Sequence, residues 1–415
     1  MTSSLVSTGW EHHNQSLKYS LMYPINIKYI NYYLFIIFIF SVFYLFEKHT
    51  VGNDSTISEW IINYEGGFTK RGIIGQISII LSDLFEIKLR QSILILQIIL
   101  VGTYYLLLRK LFINLKINKI FYFAIFSPIF ILYPVAEIEV LARKEYFIFI
   151  SYLIFLFIKN NNTKNIYKII ILPINVLIWE PVIFFFPFWF LVDCLINKPK
   201  KIFNFSIKEA FKYLPALLIG LYIATNPLPE ASHFQMATFL KENFNENCYM
   251  SCQLLLTKSS IIDQFYVNYS SYSLIIFIRY GLILLLGFFP LLVLISYTKS
   301  NKNYKILSLI FVSLPVIVLF AMMSDWGRVV NMYYTFSILT FIFLSKNNYI
   351  FIKNDIKINF LSKLLTNKKI FVILFIIFAF GWNPKTSLTG DVASKPGYQI
   401  PRKALKIIYF KYLGN

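Results

Sequence analysis

The chain is 415 residues long; 57% of it is hydrophobic, 19% aromatic and only 14% charged, with a formal net charge of +20. That composition excludes a soluble domain, whose surface needs more polar residues, and the unbroken apolar runs exclude a transmembrane barrel, whose strands alternate. The fold class expected is all-α, a polytopic transmembrane helical bundle; its basic charge meets lipid headgroups and not nucleic acid, because no soluble basic domain carries it.

Residues 1–28 form a short polar segment. The run Tyr29–Phe46 is too long for the core of a cleaved signal peptide and no small-residue cleavage site follows, so it reads as a retained signal-anchor helix. Further apolar runs at 91–108, 120–134, 146–158, 169–179, 182–196, 213–226, 274–297, 306–322, 332–345 and 370–382 bring the total to about eleven spans in a membrane domain of 29–382. Several fall short of the roughly 20 residues a perpendicular span needs, so their polar ends continue as helix or sit in protein-lined cavities. The 169–196 pair reads either as a hairpin or as one kinked helix.

Charge sets the orientation. With the N-terminus inside, the cytoplasmic segments hold 23 of the 40 Lys and Arg residues but 4 of the 20 acids, as the positive-inside rule requires. Loops 47–90 and 227–273 are then periplasmic, as is the tail 383–415. Its six cations between Lys385 and Lys411 run against that rule: either the last span does not cross or the rule is broken there. The chain has seven arginines, and only Arg109 is placed inside. Arg71, Arg90, Arg143, Arg279, Arg328 and Arg402 lie outside or near the outer boundary, where a planar bidentate donor suits phosphate or carboxylate.

Loop 47–90 contains "NYEGGFTKRGIIGQ", followed by about four turns of helix too short and polar to span, read as an interfacial helix. Gly66-Gly67 permit a sharp turn, and Lys70-Arg71 at the helix start would hold an anion; the plainer reading is a glycine turn whose cations touch headgroups. In "EIEVLARKEYF", Arg143, Lys144 and Glu145 stand at a membrane boundary, either functional or paired locally with Glu139 at helical spacing. Glu180 in "LIWEPVIFFF" serves a ligand or satisfies amides freed by Pro181. Arg279 in "LIIFIRYGLIL" binds phosphate or snorkels. In "MMSDWGRVVNM", Asp325 and Arg328 form a local salt bridge beside an interfacial Trp326, or the three recognise sugar and phosphate. Cys248 and Cys252 share an outer loop as a disulfide or as two free thiols, and Cys194 is isolated. None of the four histidines lies in a span and no zinc spacing occurs, so no metal or cofactor is expected.

A long first outer loop with an acid and an interfacial helix, then many spans with arginines at the outer face, resembles the GT-C superfamily of glycosyltransferases. More locally, "NYEGGFTKRGIIG", "ARKEYF", "IWEPVIFFFPF" and "DWGR" look like blocks of bacterial surface-polysaccharide membrane proteins, including Wzy-like polymerases and EpsG-like proteins; "IWEP" stands where that pattern has a His-Glu pair. The resemblance implies an inner-membrane glycosyltransferase or polymerase of O-antigen, capsule or exopolysaccharide. Its partners would be a polyprenyl-phosphate-linked sugar donor, a saccharide acceptor and membrane lipids. It implies Glu65 as the catalytic carboxylate, with Asp54 and Glu59 as rivals in the same loop. Lys70, Arg71, Arg143, Glu180, Arg279, Asp325, Trp326 and Arg328 are then expected to bind substrate. The alternative is a flippase or transporter of lipid-linked saccharide or another anion, which calls for polar residues near the midplane and broken-helix repeats.

Overall fold

The first apolar run folds as helix α1 (Ile27–Val51). Its β-branched and aromatic residues are modest helix formers in water, but in lipid a helix is the one way a lone segment satisfies its own amides. The structure, a computed structural model, describes residues 23–51, 55–197, 207–256, 261–299, 302–352, 367–386 and 395–413. Residues 1–22 of the N-terminal segment (with His12 and His13), Asp54 and residues 387–394 of the tail lie outside the described residues.

Among the described residues the fold is all-α apart from one two-stranded antiparallel pair, Tyr23–Pro24 with Lys116–Ile117, and a lone antiparallel bridge between Thr298 and Ile352. The helices used below are α2 (Gly72–Leu84), α3 (Leu89–Phe112), α4 (Glu145–Phe157), α5 (Leu172–Ile178), α6 (Phe186–Asn197), α7 (Leu214–Thr225), α8 (Glu230–Phe244), α9 (Leu274–Ser296), α10 (Lys302–Met322), α11 (Trp326–Lys346), α12 (Lys368–Phe380) and α13 (Pro396–Ile408). Five of them, α1, α3, α9, α10 and α11, are long and apolar enough to cross a membrane, which makes this a multi-pass membrane protein. Pro290 in α9 and Pro315 in α10 lie inside helices, tolerated where neighbouring helices re-satisfy the freed carbonyls.

Helix α11 is the axis of the bundle: 78% of its apolar window is buried, against 17–44% for the other four. Tyr152 and Trp189 pack on Phe336 of α11, and Phe288 on its Tyr333 and Tyr334. Rows of Ile and Leu at Ile278, Leu282 and Leu285 on α9 and Leu307, Ile310, Leu314 and Ile317 on α10 face outward. A water-facing exterior would not carry them, and acyl chains would.

The bundle has two polar ends. At one, Arg109 near the end of α3 bonds Asn31 near the start of α1 at 2.9 Å, and Lys346 at the end of α11 donates to the Leu111 carbonyl at 2.9 Å. Lys168 pairs there with Asp193 at 2.6 Å. At the other end, His49 of α1 meets Gln97 of α3 at 2.8 Å. Arg90 at the start of α3 grips Glu246 and Tyr249 of the long loop. Cys248 and Cys252 of that loop form a disulfide, which resolves the choice left open by the sequence. This second end holds the candidate site.

Candidate functional site

The first loop enters the bundle through "ISEWII". Ile57, Trp60, Ile61 and Ile62 are wholly buried, and they carry Glu59 in with them at 0% exposure. The Trp60 indole donates to the Ala142 carbonyl at 3.1 Å, tying this loop to the segment before α4. Two non-glycine residues beside the site adopt left-handed backbone: Arg71, which caps α2 with φ 65°, and Ala142 with φ 53°. Such a conformation costs an L-residue about 1–2 kcal/mol, so surrounding contacts must hold it.

Three separate segments then converge on Glu59. From α4's N-terminus, Arg143 hydrogen-bonds Glu59 Oε1. The same oxygen lies 3.5 Å from Arg71 Nη1 and 3.5 Å from Nη2 of Arg328, in the first turn of α11. Arg71 also makes a two-pronged bond to Glu180, which follows α5: Nε to Oε2 at 2.8 Å and Nη2 to Oε1 at 2.7 Å. Arg328 bonds Glu145, and its Nη1 lies 3.4 Å from Asp325. Arg143 Nη1 approaches the same Asp325 oxygen at 3.8 Å. Lys144 donates to the Arg71 carbonyl at 2.5 Å, and Lys70 stands 4.0 Å from Glu180. The Trp179 ring lies under the Arg328 guanidinium at 5.9 Å, a favourable place for a desolvated cation.

Five cations (Lys70, Arg71, Arg143, Lys144, Arg328) therefore face four carboxylates (Glu59, Glu145, Glu180, Asp325), and Glu139 acts on Arg143 as a fifth acid, so the charges balance when all are ionised. Burial opposes the charge on Glu59, but Arg143 and Arg328 outweigh it and hold the carboxyl well below the usual range. Burial pushes the Lys144 ammonium down to about 7, with Glu59 pulling the other way. At Asp325, burial pushes the carboxyl up, opposed by Arg143 and helped by Glu59. Glu59, Arg143, Lys144, Glu145 and Arg328 make a buried floor; Lys70, Arg71, Glu180 and Asp325, with side chains 20–43% exposed, make a reachable rim. In the floor Arg143 Nε, Arg328 Nε, Glu59 Oε2 and Glu145 Oε2 have no hydrogen-bond partner among the described residues.

Of the residues singled out in the sequence, Lys70, Arg71, Arg143, Glu180, Asp325 and Arg328 come together. The local pairing expected among Glu139, Arg143 and Glu145 is joined by long-range bonds: Arg143 keeps Glu139 within electrostatic range but bonds Glu59, and Glu145 bonds Arg328. The Asp325–Arg328 bridge is present, but as one edge of the larger cluster. Glu65 stands half-buried outside it, accepting a hydrogen bond from Gln76 at 3.2 Å. Gly67 has φ 108°, as a turn requires, while a Cβ at Gly66 would meet the Ser232 carbonyl at 1.8 Å, so the glycine pair docks the loop against α8. Arg279, in α9, takes no part in the ion pairs around Glu59. Trp326 is buried among Tyr272, Phe277, Tyr280 and Phe320, its indole bonded to the Phe320 carbonyl at 2.7 Å, so it braces the Asp325 turn.

The residue sequence reasoning underrated is Glu59. An acid set between Ile57 and Trp60-Ile61-Ile62 was the available signal: such neighbours bury, and a buried acid demands cations. No protein-family model, no curated protein and no solved structure matches the chain.

Proposed function

We propose that the chain is a glycosyltransferase or polymerase of bacterial cell-surface polysaccharide, multi-pass in the inner membrane, acting on a polyprenyl-phosphate-linked sugar at the periplasmic face. The reading takes the chain through eleven passes, with α2 lying in the outer interface. One observation carries it: three arginines from three segments meet at one end of an apolar bundle, in a cluster whose rim, with the cations Lys70 and Arg71, is reachable. A donor whose tail lies in lipid and whose phosphate lies at the boundary would reach that rim. The disulfide at the same end suits an oxidising compartment.

Transfer needs a base for the acceptor hydroxyl and cations for the departing phosphate. Asp325 sits on the rim beside two guanidinium groups, with its proton affinity raised, and is the carboxylate we assign as base. The acceptor oxygen gives its proton to Asp325 and attacks the anomeric carbon. The carbon–oxygen bond to phosphate breaks, its electron pair staying on the phosphate, whose charge Lys70 and Arg71 receive. The buried floor holds Arg71 and Asp325 in position. Glu65, the carboxylate the resemblance implies, is the competing base.

Deleting the gene and following lipid-linked glycans tests this. Single unpolymerised or unextended lipid-linked units should accumulate on the periplasmic leaflet. Wild type and Glu65→Gln should clear them, and Asp325→Asn should not. The reverse pattern returns the base to Glu65. Accumulation on the cytoplasmic leaflet would make the protein a flippase and end the glycosyl-transfer reading.

A further inference from the structure

The C-terminal helix α13 has three faces. Pro396, Ile400 and Ala404, four residues apart, are buried against the bundle. On the opposite side runs an exposed apolar stripe of Tyr398 and Leu405, 59–66% accessible, continued past the helix end by the exposed Tyr409, Phe410 and Leu413. Arg402, Lys403 and Lys406 form the third face and are exposed. Two of these cations sit over rings of the same helix: the Arg402 guanidinium 5.5 Å from Tyr398 and the Lys406 ammonium 5.8 Å from Phe410. A helix that buried one face and turned the rest to water would carry no such apolar stripe.

Its position is fixed. The Tyr44 hydroxyl donates to the Ile400 carbonyl at 2.5 Å, Lys411 pairs with Glu47 at 2.9 Å and bonds Thr50 at 2.7 Å, and Tyr412 donates to Glu47 at 3.0 Å. Those partners lie in the last turns of α1. With 25 residues, α1 is about 37 Å long at 1.5 Å per residue, longer than a hydrocarbon core of roughly 30 Å. Glu47 and Thr50 therefore stand at headgroup level, and α13 is bonded to that level. Glu47, the acid facing this end of the helix, is already engaged by Lys411 and Tyr412, and among the described residues it makes no ion pair with Arg402, Lys403 or Lys406.

We infer that α13 is a lateral anchor that binds the phosphate headgroups of anionic phospholipid in the leaflet at the site's end of the bundle. An apolar stripe lying lengthwise beside a basic one matches what a bilayer presents side by side, acyl chain and then phosphate. Tyr398, Leu405 and Tyr409 enter the acyl boundary, and the three cations meet phosphate above it. This gives the tail's cations a role on the face where the positive-inside rule would not put them. It rests on the bundle crossing a membrane and not on any reading of the chemistry.

The test uses the full-length protein with Cys194→Ser and the native disulfide intact, in vesicles of phosphatidylcholine with or without phosphatidylglycerol. A fluorophore on Leu405→Cys should be quenched by bromine-labelled lipid and shielded from aqueous iodide. One on Lys403→Cys should show the opposite. Replacing Arg402, Lys403 and Lys406 together by glutamine should leave the melting temperature within a few degrees and lower the preference for phosphatidylglycerol roughly tenfold or more, since each cation near an anionic surface contributes about fivefold. Equal iodide quenching at both positions overturns the assignment, as does an unchanged lipid preference in the triple variant. Cross-linking of two copies through Leu405→Cys would overturn it too, by giving the face to a second copy of the chain.

Discussion

Glu59→Gln keeps the side chain's shape and removes its charge, so it isolates what holds the floor together. Arg71 and Arg328 each stand 3.5 Å from the Glu59 carboxylate, and Arg143 is bonded to it directly. At an effective dielectric of 20, each 3.5 Å pair is worth about 5 kcal/mol of gross attraction. Arg143 and Arg328 stay desolvated when that attraction is lost, although Glu145 and Asp325 retain part of it. The net cost should be about 3–5 kcal/mol, the range for breaking a buried ion pair from one side. That lowers the melting temperature by roughly 3–6 °C for a chain of this length. A thiol-reactive dye reading Cys194, which is half-buried in the native fold, follows the transition in detergent. Glu65→Gln is the control: its amide oxygen can still accept from Gln76, so no more than about 0.5–1.5 kcal/mol is at stake. If Glu59→Gln melts with the wild type while Glu65→Gln falls, the cluster is not the keystone of this end of the bundle and the electrostatic argument fails.

Arg71→Lys should cut glycan output at least tenfold, because an ammonium cannot reproduce the two-pronged bond to Glu180, about 1.4 kcal/mol being a factor of ten; Arg279→Lys should leave output unchanged, and a glycan assay of both decides. Lys144 adds a pH signature. Its folded proton affinity is depressed to about 7 while an unfolded lysine holds its proton to about 10.4, so the unfolded chain binds more protons between them and stability rises with pH across that window. The difference in melting temperature between Lys144→Met and wild type should therefore shrink from pH 7 towards roughly pH 10, and a constant difference would refute it. Alkylating the denatured, unreduced protein should add one label, on Cys194, of three cysteines; three labels by mass spectrometry would show the outer pair to be free.

The helices were legible because a lipid-facing segment must be apolar over its whole length, so runs such as "YYLFIIFIF" announce themselves. Much of the site was legible as well: Arg71, Arg143 and Arg328 stood out as arginines in a lysine-rich chain, all near one face. Which carboxylate they meet was not. Glu65 drew attention through its glycine neighbours, yet burial of a loop acid depends on what folds over it, and here Trp60 and Ala142 carry Glu59 inside. The spacing of Glu139, Arg143 and Glu145 suggested local pairing, but it did not show the bonds to segments 84 and 183 residues away. The tail was opaque for another reason. Its residues carry no unbroken apolar run, and its helix shows only in the structure, where Pro396 opens it, a place at which a missing N–H costs nothing, and Pro401 lies inside.

Because the cluster draws on residues from 59 to 328, the ribosome delivers its charges in two instalments. Glu59, Arg71, Arg143 and Glu145 enter the membrane early. The guanidinium that bonds Glu145 follows 183 residues later, with α11. Until then an acid at the lipid boundary waits for its counter-ion, and the early helices are held by partial contacts alone. The last piece arrives later still, when the Lys385 carbonyl settles where a side chain at Gly327 would stand and Lys385 reaches Glu137 at 3.0 Å. A chain halted before α11 is thus electrically unfinished, and the cell's membrane proteases should clear it faster than any full-length variant of the rim.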